Sequence, residues 1–393
     1  MPMQDEMTID ERRKYVKLMY PRYQKANRQE RSRLLTEMEQ VTKQHRKHLI
    51  RLLNGESLER KKRRTSRSRT YGVEVERVVL LIWESLDYIC AKRLTPNLLS
   101  MGKHLARFGV VSLTAEVEEQ LQTMSTSTVE RLLGKYRSRK GRLPRKGPQR
   151  ANQATKGVPM GRIAWDRAEP GHFEVDLVHP CGESAAGEYG HTLQLIDVAT
   201  GWSERVLLLG RGQQAMEQAF RHVLARLPFA VKELHPDNGT EFFNAHLVRF
   251  WKEKVTGVHL SRSRPYHKND NRNVEQKNDT LVRQYFGTLR LDTPEQLEAV
   301  NALYERMWLY YNLFQPVMHL SEKTVEGDKV RRKWDDAQTP YQRVLATGVL
   351  SQEQQARLQT LYEHTNPRQL REEIYAGLAA LWEGAMPHRE TAA

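Results

Sequence analysis

The spacing of apolar residues changes near residue 166, and this change limits the possible folds more than any other feature of the sequence. Before it, apolar residues recur at helical spacing in residues 8–54 and again in residues 73–135. After it, residues 172–178 alternate between apolar and polar side chains, as a half-buried strand does. The sequence therefore predicts an all-α first part followed by an α/β part.

The second part predicts strands that alternate with helices. The expected strands are 172–178, 192–197, 203–209, 231–234 and 258–260, and the expected helices are 213–227, 244–254, 270–286 and 294–313. Three strands followed by helices and strands in turn indicate a mixed sheet with helices packed on it.

Residues 8–54 predict three helices. Thr8 and Glu11 fit a capping box that begins the first helix, and Pro21 is expected to end it. A second helix is expected near residues 30–40, with its apolar side chains on one side.

The third helix is expected at residues 43–53, with Thr42 as its cap. Its outer face is basic and consists of Lys43, Arg46, Lys47 and Arg51. Such a helix after two others is typical of a helix-turn-helix that enters the DNA major groove, although an ordinary three-helix bundle explains this stretch equally well. The adjoining segment favours DNA, because six Lys and Arg lie within residues 61–69, among them Lys61, Lys62, Arg63 and Arg64.

Positive charge is concentrated in two segments. The chain of 393 residues has 63 Lys and Arg against 48 Asp and Glu, a net charge of +15. Residues 1–70 have a net charge of +11 and residues 137–162 of +9, whereas the rest is close to neutral. Because cations that neutralise phosphates release counterions, this distribution indicates a nucleic-acid partner. Gly and Pro in residues 137–162 also predict a flexible connector.

Several classes of protein do not fit this composition. No apolar run approaches the 18 or so residues of a membrane span, and the first residues lack the apolar stretch of a secretory signal. Two cysteines, Cys90 and Cys181, are too few for a disulfide framework. We therefore expect a cytoplasmic, multidomain protein with an anionic partner and no membrane contact.

Three acidic residues of the α/β part have the placement that a metal site needs. Asp176 lies in the middle of a predicted strand, Asp237 at the end of another, and Glu275 in the first turns of a helix. Asp is depleted in strands and costly to bury without a partner, and a divalent cation offsets that cost. Carboxylate oxygens suit Mg²⁺ or Mn²⁺, and two such ions clamp the attacking and leaving oxygens of a phosphoryl transfer.

The chain resembles the DDE transposases of bacterial insertion sequences in three strings: FEVD at 173–176, HPDNGTEF at 235–242 and SRPYHKNDNRNVEQKN at 263–278. The resemblance covers roughly residues 165–318 and implies a ribonuclease-H-like catalytic core of the retroviral-integrase type. Two departures are clear. No His-His-Cys-Cys zinc module precedes this core, and the 37 residues between Asp237 and Glu275 slightly exceed the usual spacing.

The resemblance also implies a function. Asp176, Asp237 and Glu275 would bind the metal ions, and two Mg²⁺ or Mn²⁺ ions are expected. The enzyme would cut at the ends of an element and join the freed 3′-hydroxyl to target DNA, as a homo-oligomer on double-stranded DNA. Arg264, Lys268 and Lys277 flank the third acid and are expected to contact DNA phosphates. The expected location is the bacterial cytoplasm, at the nucleoid during the reaction.

Alternatives remain open at this point. A nuclease or resolvase of the same fold would cut without joining, and a non-catalytic DNA-binding regulator would keep the fold without the reaction. Four other acids lie near the first two in the sequence, and Asp279, one turn beyond Glu275, competes most directly for the third position. The others are Glu174, Glu241 and Asp270.

Together these observations predict six segments. They are a helix-turn-helix domain (1–56), a basic linker (57–72), a second helical domain that resembles a helix-turn-helix less closely (73–136), a flexible basic linker (137–164), the catalytic core (165–318), and a C-terminal linker with helices near 352–364 and 367–382 (319–393).

Overall fold

The computed structural model divides the chain into two compact units, residues 1–70 and residues 71–393. It describes residues 7–55, 70–136, 160–161, 163–164, 167–179, 187–236, 242, 250–251, 257–264, 270–287, 289–326 and 329–385. Each unit is described by itself below.

The first unit has three helices around a small core. They are α1 (Ile9–Lys25), α2 (Arg28–Thr42) and α3 (Arg46–Leu53). Thr8 and Glu11 form the expected capping box. The core includes the predicted residues Leu34, Leu35 and Met38 of α2 and Leu49 and Leu53 of α3.

Two predicted boundaries in this unit are wrong. Helix α1 continues past Pro21, because Tyr23 beyond it is buried and Arg31 donates to the Tyr23 and Gln24 carbonyls at 3.2 and 3.1 Å. Thr42 is the last residue of α2, where its hydroxyl donates to the Met38 carbonyl. His45 caps α3 instead, and its Nδ1 accepts from the Lys47 amide.

The second unit contains the predicted mixed sheet, which is confirmed. The strands are β2 (His172–Val178), β3 (Gly190–Asp197), β4 (Ser203–Leu209), β5 (Glu233–Pro236) and β6 (His259–Leu260). Their order in the sheet is β4-β3-β2-β5-β6. Neighbouring strands among β2, β3 and β4 are antiparallel, whereas β5 and β6 are parallel to β2. A separate parallel pair joins β1 (Met160–Gly161), inside the predicted linker, to β7 (Arg262–Ser263).

Helices cover the two faces of this sheet. Helix α9 (Gln213–Arg226) packs on the face of Phe173 and Val175. The opposite face, which carries Val178, packs against α12 (Pro294–Leu309). Between these helices in sequence, α10 (Arg272–Lys277) continues through a π-helical segment (Asn278–Arg283) into α11 (Gln284–Phe286), and α12 ends in a second one (Tyr310–Phe314).

The helices of residues 73–133 share their core with the sheet. They are α4 (Val73–Ser85), α5 (Ala91–Leu94), α6 (Leu98–Arg107), α7 (Ala115–Thr123) and α8 (Thr126–Leu133). Their apolar residues form one cluster with strand β2 and with residues as distant as Leu358. Tyr310 donates to the Ser85 carbonyl at 2.8 Å, and Gln315 donates to the Leu86 carbonyl at 3.0 Å. The six predicted segments stay a prediction, but α4–α8 have no core of their own among the described residues.

The C-terminal part begins with a hairpin that the sequence analysis did not predict. Its strands are β8 (Leu320–Glu326) and β9 (Lys329–Trp334). Helices α13 (Pro340–Thr347), α14 (Gln352–His364) and α15 (Pro367–Ala385) follow, and the last two agree with the predicted helices. Helix α15 packs against α12 through Leu370, Ile374 and Leu378.

Candidate active site

Strands β2 and β5 and helix α10 meet at the position where the sequence predicts a metal site. Asp176 lies on β2, and Glu275 lies on α10 with an exposed side chain. Asp237 follows β5 directly but lies outside the residues that the structure describes. The register of the parallel pair brings Pro236 beside Val175, so that the residue before Asp237 is paired with the residue before Asp176.

Helix α10 is attached to β2 at its first turn by a buried carboxylate. Glu174, only 2% exposed, accepts from the Asn273 amide at 2.7 Å, the Val274 amide at 2.9 Å and the Asn273 side chain at 2.8 Å. These groups include amide donors that a helix N-terminus leaves without an intrahelical partner, and the helix dipole favours a negative charge there. Burial nevertheless raises the pKa of Glu174 to about 7. Glu174 thus positions the helix that carries Glu275.

A second attachment joins the other end of α10 to Asp176 itself. Asn278, which is buried at the start of the π-helical segment, donates its side-chain amide to Asp176 Oδ2. The other oxygen, Oδ1, accepts from the Leu177 amide at 2.9 Å. Glu275 lies between the two attachments in sequence. Strand β2 therefore fixes both Asp176 and the helix of Glu275 as one assembly.

One side of α10 and its continuation is buried. Val274 and Leu281 are buried, whereas Glu275 and Asp279 are exposed. The π-helical segment begins between these two acids, so their relative direction differs from that in a regular α-helix. Asp279 Oδ2 accepts from Gln284, 3.4 Å away.

A row of buried polar side chains runs from Asp176 across the sheet, and the sequence analysis missed it. Gln194 on β3 is paired with Asp176, and Arg205 on β4 is paired with Gln194. Both side chains are buried, and the Arg205 guanidinium lies 5.6 Å from the ring centre of Tyr304 and 5.9 Å from that of Tyr311. Burial lowers the pKa of Arg205. The available signal in the sequence was a polar residue inside each of these strands, Gln194 on β3 and Arg205 on β4.

Hydrogen-bonded polar side chains also form a chain of contacts that joins β2, β5 and the residue after β6. His172 donates to Glu233 at 2.7 Å, and the Ser261 hydroxyl donates to the other Glu233 oxygen at 2.6 Å. Ser261 in turn accepts from His235 Nδ1 at 2.6 Å. Against the effect of burial, the hydrogen bonds from Ser261 and His172 lower the pKa of Glu233. This chain fixes β5 and β6 two residues before Asp237.

The predicted DNA-binding residues around the third acid have different surroundings. Lys277 Nζ lies 4.9 Å from the ring centre of Tyr311. Arg264 makes a two-pronged ion pair with buried Asp270, with both nitrogen–oxygen distances at 2.8 Å. Asp270 lies one residue before Asn271, the N-cap residue of α10. Lys268 lies outside the described residues, and DNA contacts of all three residues stay a prediction.

The four basic residues assigned to the third helix do not form one face. Lys43 precedes α3, where it ends α2 in the left-handed conformation with φ 56°. Arg46 donates to Ser32 and Thr36 of α2. Lys47 and Arg51 are exposed one turn apart on α3. Lys61, Lys62, Arg63 and Arg64 lie outside the described residues.

Comparisons with known proteins give one clear relative. No family model matches the chain. The uncharacterized protein y4rM of Sinorhizobium fredii (strain NBRC 101917 / NGR234) is 34% identical over 344 residues, which are 87% of this chain and 97% of that protein. The chain belongs to the y4rM family.

Similarity between this y4rM-family protein and a solved structure is much weaker. The catalytic core domain of BIV integrase matches 45% of this chain and 95% of its own, with a TM-score of 0.31 and 16% identity. At this level the match supports no conclusion about activity. Among the described residues, no helix is long and apolar enough to cross a membrane, and no group of three or more His, Cys, Asp and Glu lies close enough to hold a metal ion.

Proposed function

We propose that this protein is a metal-dependent DDE transposase that cuts DNA at the ends of a mobile element and joins them to target DNA. The observation that carries the proposal is the double attachment of α10 to β2. Glu174 and Asn278 fix the helix of Glu275 to the strand of Asp176. Continued pairing of β5 with β2 beyond Pro236 would bring Asp237 beside Asp176.

The residues fit a pair of divalent cations. Asp176, Asp237 and Glu275 would supply carboxylate oxygens, the donors that Mg²⁺ and Mn²⁺ prefer. The Leu177 amide donates to Asp176 Oδ1 and the Asn278 side chain donates to Oδ2, and these hydrogen bonds orient the carboxylate. When bound, such ions stabilise the attacking and leaving oxygens of an in-line phosphoryl displacement.

The chain's own residues would orient these carboxylates and hold DNA. Asn278 fixes the rotation of the Asp176 carboxylate, and Glu174 fixes the start of the helix that presents Glu275. Lys47 and Arg51 of α3, together with the basic segments 57–72 and 137–162, would neutralise DNA phosphates. The sheet order, with three antiparallel strands followed by two parallel ones, is compatible with the ribonuclease-H-like core that the resemblance implies.

The test uses the full chain, Mg²⁺ or Mn²⁺, duplexes that carry the inverted repeats flanking the gene, and a supercoiled target plasmid. We expect joined products from the wild type, and only background from Asp237→Asn and Glu275→Gln, because each change removes a metal ligand without adding bulk. Asp279→Asn is the matched control on the same helix and should retain substantial activity.

Three results would contradict the proposal in different ways. Turnover of the wild type in excess EDTA would exclude the metal-dependent reaction. Cut DNA without joined product would indicate the nuclease alternative. Loss of activity in Asp279→Asn with activity retained in Glu275→Gln would move the third acid along the helix.

A further inference from the structure

The hairpin β8–β9 has a fixed base and exposed strands. At the base, Val317 and Gln338 exchange backbone hydrogen bonds of 2.8 and 3.1 Å. The Asp335 carboxylate accepts from the His319 amide and from Arg343, both at 2.7 Å. Val317 and Ala337 are buried, so the base belongs to the body of the second unit.

The strands themselves do not bury either face. Residues 321–324 and 330–334 are all exposed, and Val330 and Trp334 are 43% and 50% exposed. An isolated two-stranded hairpin is at best marginally stable in water, because it has no apolar face to bury. A ribbon that the described part of the chain leaves exposed at residues 321–324 and 330–334 is therefore expected to gain its stability from a partner.

The charge of the ribbon identifies the chemistry of that partner. Strand β9 contains four cations, Lys329, Arg331, Arg332 and Lys333, and no acid. Because side chains alternate along a strand, Arg332 shares a face with Val330 and Trp334, and its cross-strand neighbour Lys323 lies on the same face. Lys323 and Arg332 form no ion pair with any residue that the structure describes.

The base of the hairpin also lies close to the candidate active site. At the base, Val317 forms a buried cluster with Tyr311 and with Leu281, which lies six residues beyond Glu275 in the π-helical continuation of α10. The ribbon thus leaves the body beside the helix that carries the proposed third acid. DNA bound at that acid would have this basic face within reach.

We propose that the β8–β9 ribbon is a DNA-binding arm, with Lys323 and Arg332 contacting phosphates and Trp334 packing beside them. A two-stranded ribbon is one of the two elements that the major groove of B-DNA admits. This inference rests on the proposed function, since it takes double-stranded DNA as the occupant. It adds a DNA contact outside the predicted helix-turn-helix and the two basic linkers at 57–72 and 137–164.

The test measures how the affinity of the full chain for a labelled 40-bp duplex of mixed sequence depends on salt. Each lost phosphate contact lowers the slope of log K against log salt by about 0.9, so Lys323→Ala with Arg332→Ala should lower it by about 1.8 and weaken binding on the order of tenfold at 100 mM salt. Lys103→Ala with Arg357→Ala removes the same charge from exposed positions on α6 and α14 and should change affinity less than twofold.

Amide hydrogen exchange identifies the occupant independently of the variants. Exchange of residues 320–334 should slow when the duplex is added. An unchanged slope in the double variant would overturn the arm while leaving the proposed function intact. Slower exchange at high protein concentration without DNA would overturn it in favour of a second copy of the chain. Absence of DNA binding by the wild type would instead contradict the proposed function.

Discussion

The two units obtain their cores in different ways. In residues 9–53, each helix packs against its neighbour in sequence, and all buried core residues lie between Val16 and Leu53. In the second unit, helices α4–α8 share one cluster with β2 and with residues up to Leu358. His104 is within 2.9 Å of the Thr365 carbonyl, and Arg371 pairs with Asp87 at 3.0 Å. The first unit is therefore separable, whereas the helices of the second depend on segments far along the chain.

The largest difference between the two units is expected when each is produced as a separate fragment. A fragment of residues 1–70 contains its complete core and should unfold cooperatively on heating. It should also bind duplex DNA with a steep salt dependence, because its net charge is +11. A fragment of residues 71–136 should show no cooperative transition, since the partners of its apolar side chains are absent. Circular dichroism and fluorescence anisotropy measure both.

The same contrast determines where a DNA-binding fragment should end. A fragment that continues to residue 162 contains α4–α8 without Tyr310 and Gln315, which donate to the Ser85 and Leu86 carbonyls, and without Thr365, which contacts His104. A cooperative transition in the 71–136 fragment, or a 1–70 fragment without one, would show that the two units do not differ in this way.

What the sequence predicts well follows this division. Capping boxes at Thr8, Thr293 and Ser351 and the strand at 172–178 depend on neighbouring residues, and all are present, although both faces of that strand are buried rather than one. The wrong or missed features depend on distant ones. Helix α1 passes Pro21 because Arg31 of the next helix supplies donors to its last carbonyls. Glu174 competes for the place of the third acid in the sequence, but in the structure it holds the first turn of α10. That role cannot be read locally, because α10 lies about 100 residues later in the chain.

The predicted site shows the same limit. The elements that carry Asp176 and Glu275 can be inferred from neighbouring residues, and their placement on β2 and α10 agrees. Gln194 and Arg205 stand out as polar residues within strands, but no local pattern encodes the register that aligns them with Asp176. The contact of Asn278 with Asp176 likewise joins residues about 100 positions apart.

Glu174→Gln gives the second largest expected effect and tests whether long-range positioning matters for the reaction. The substituted side chain keeps the shape and one acceptor oxygen but loses the charge that the helix N-terminus favours. Loss of a group that orients a metal ligand typically costs 10–100-fold, so joining activity should fall by about that factor. Higher Mg²⁺ or Mn²⁺ concentrations should recover part of the loss, which a purely structural defect would not allow.

Glu298→Gln, at an exposed position of α12, is the matched control and should retain full activity. Full activity of Glu174→Gln at low metal concentration would mean that the attachment of α10 to β2 serves stability alone.

The smallest expected effect is that the unfolding free energies of the two units change with pH in opposite directions. In the second unit, Asp197 is fully buried and accepts from the Gly171 amide, the Thr200 amide and the Thr200 hydroxyl. Burial outweighs these hydrogen bonds and raises the pKa of Asp197 to about 6. In the first unit, hydrogen bonds from the Thr8 backbone and side chain lower the pKa of exposed Glu11.

Opposite shifts have opposite consequences for stability. A carboxyl with a raised folded pKa binds its proton more tightly in the native state, so its contribution is complete below about pH 4 and is lost as the pH rises to about 6. Wild type should therefore lose, relative to Asp197→Asn, on the order of 2 kcal/mol of unfolding free energy across that window. Titratable groups that do not interact with Asp197 contribute equally to both proteins and cancel in the difference.

Glu11→Gln in the 1–70 fragment should show the reverse, because a lowered pKa stabilises the fold above the unfolded value and that stability is lost as the pH falls below it. Urea titrations from about pH 2.5 to about pH 7 measure both differences, and the same sign in both units would mean that burial does not govern Asp197.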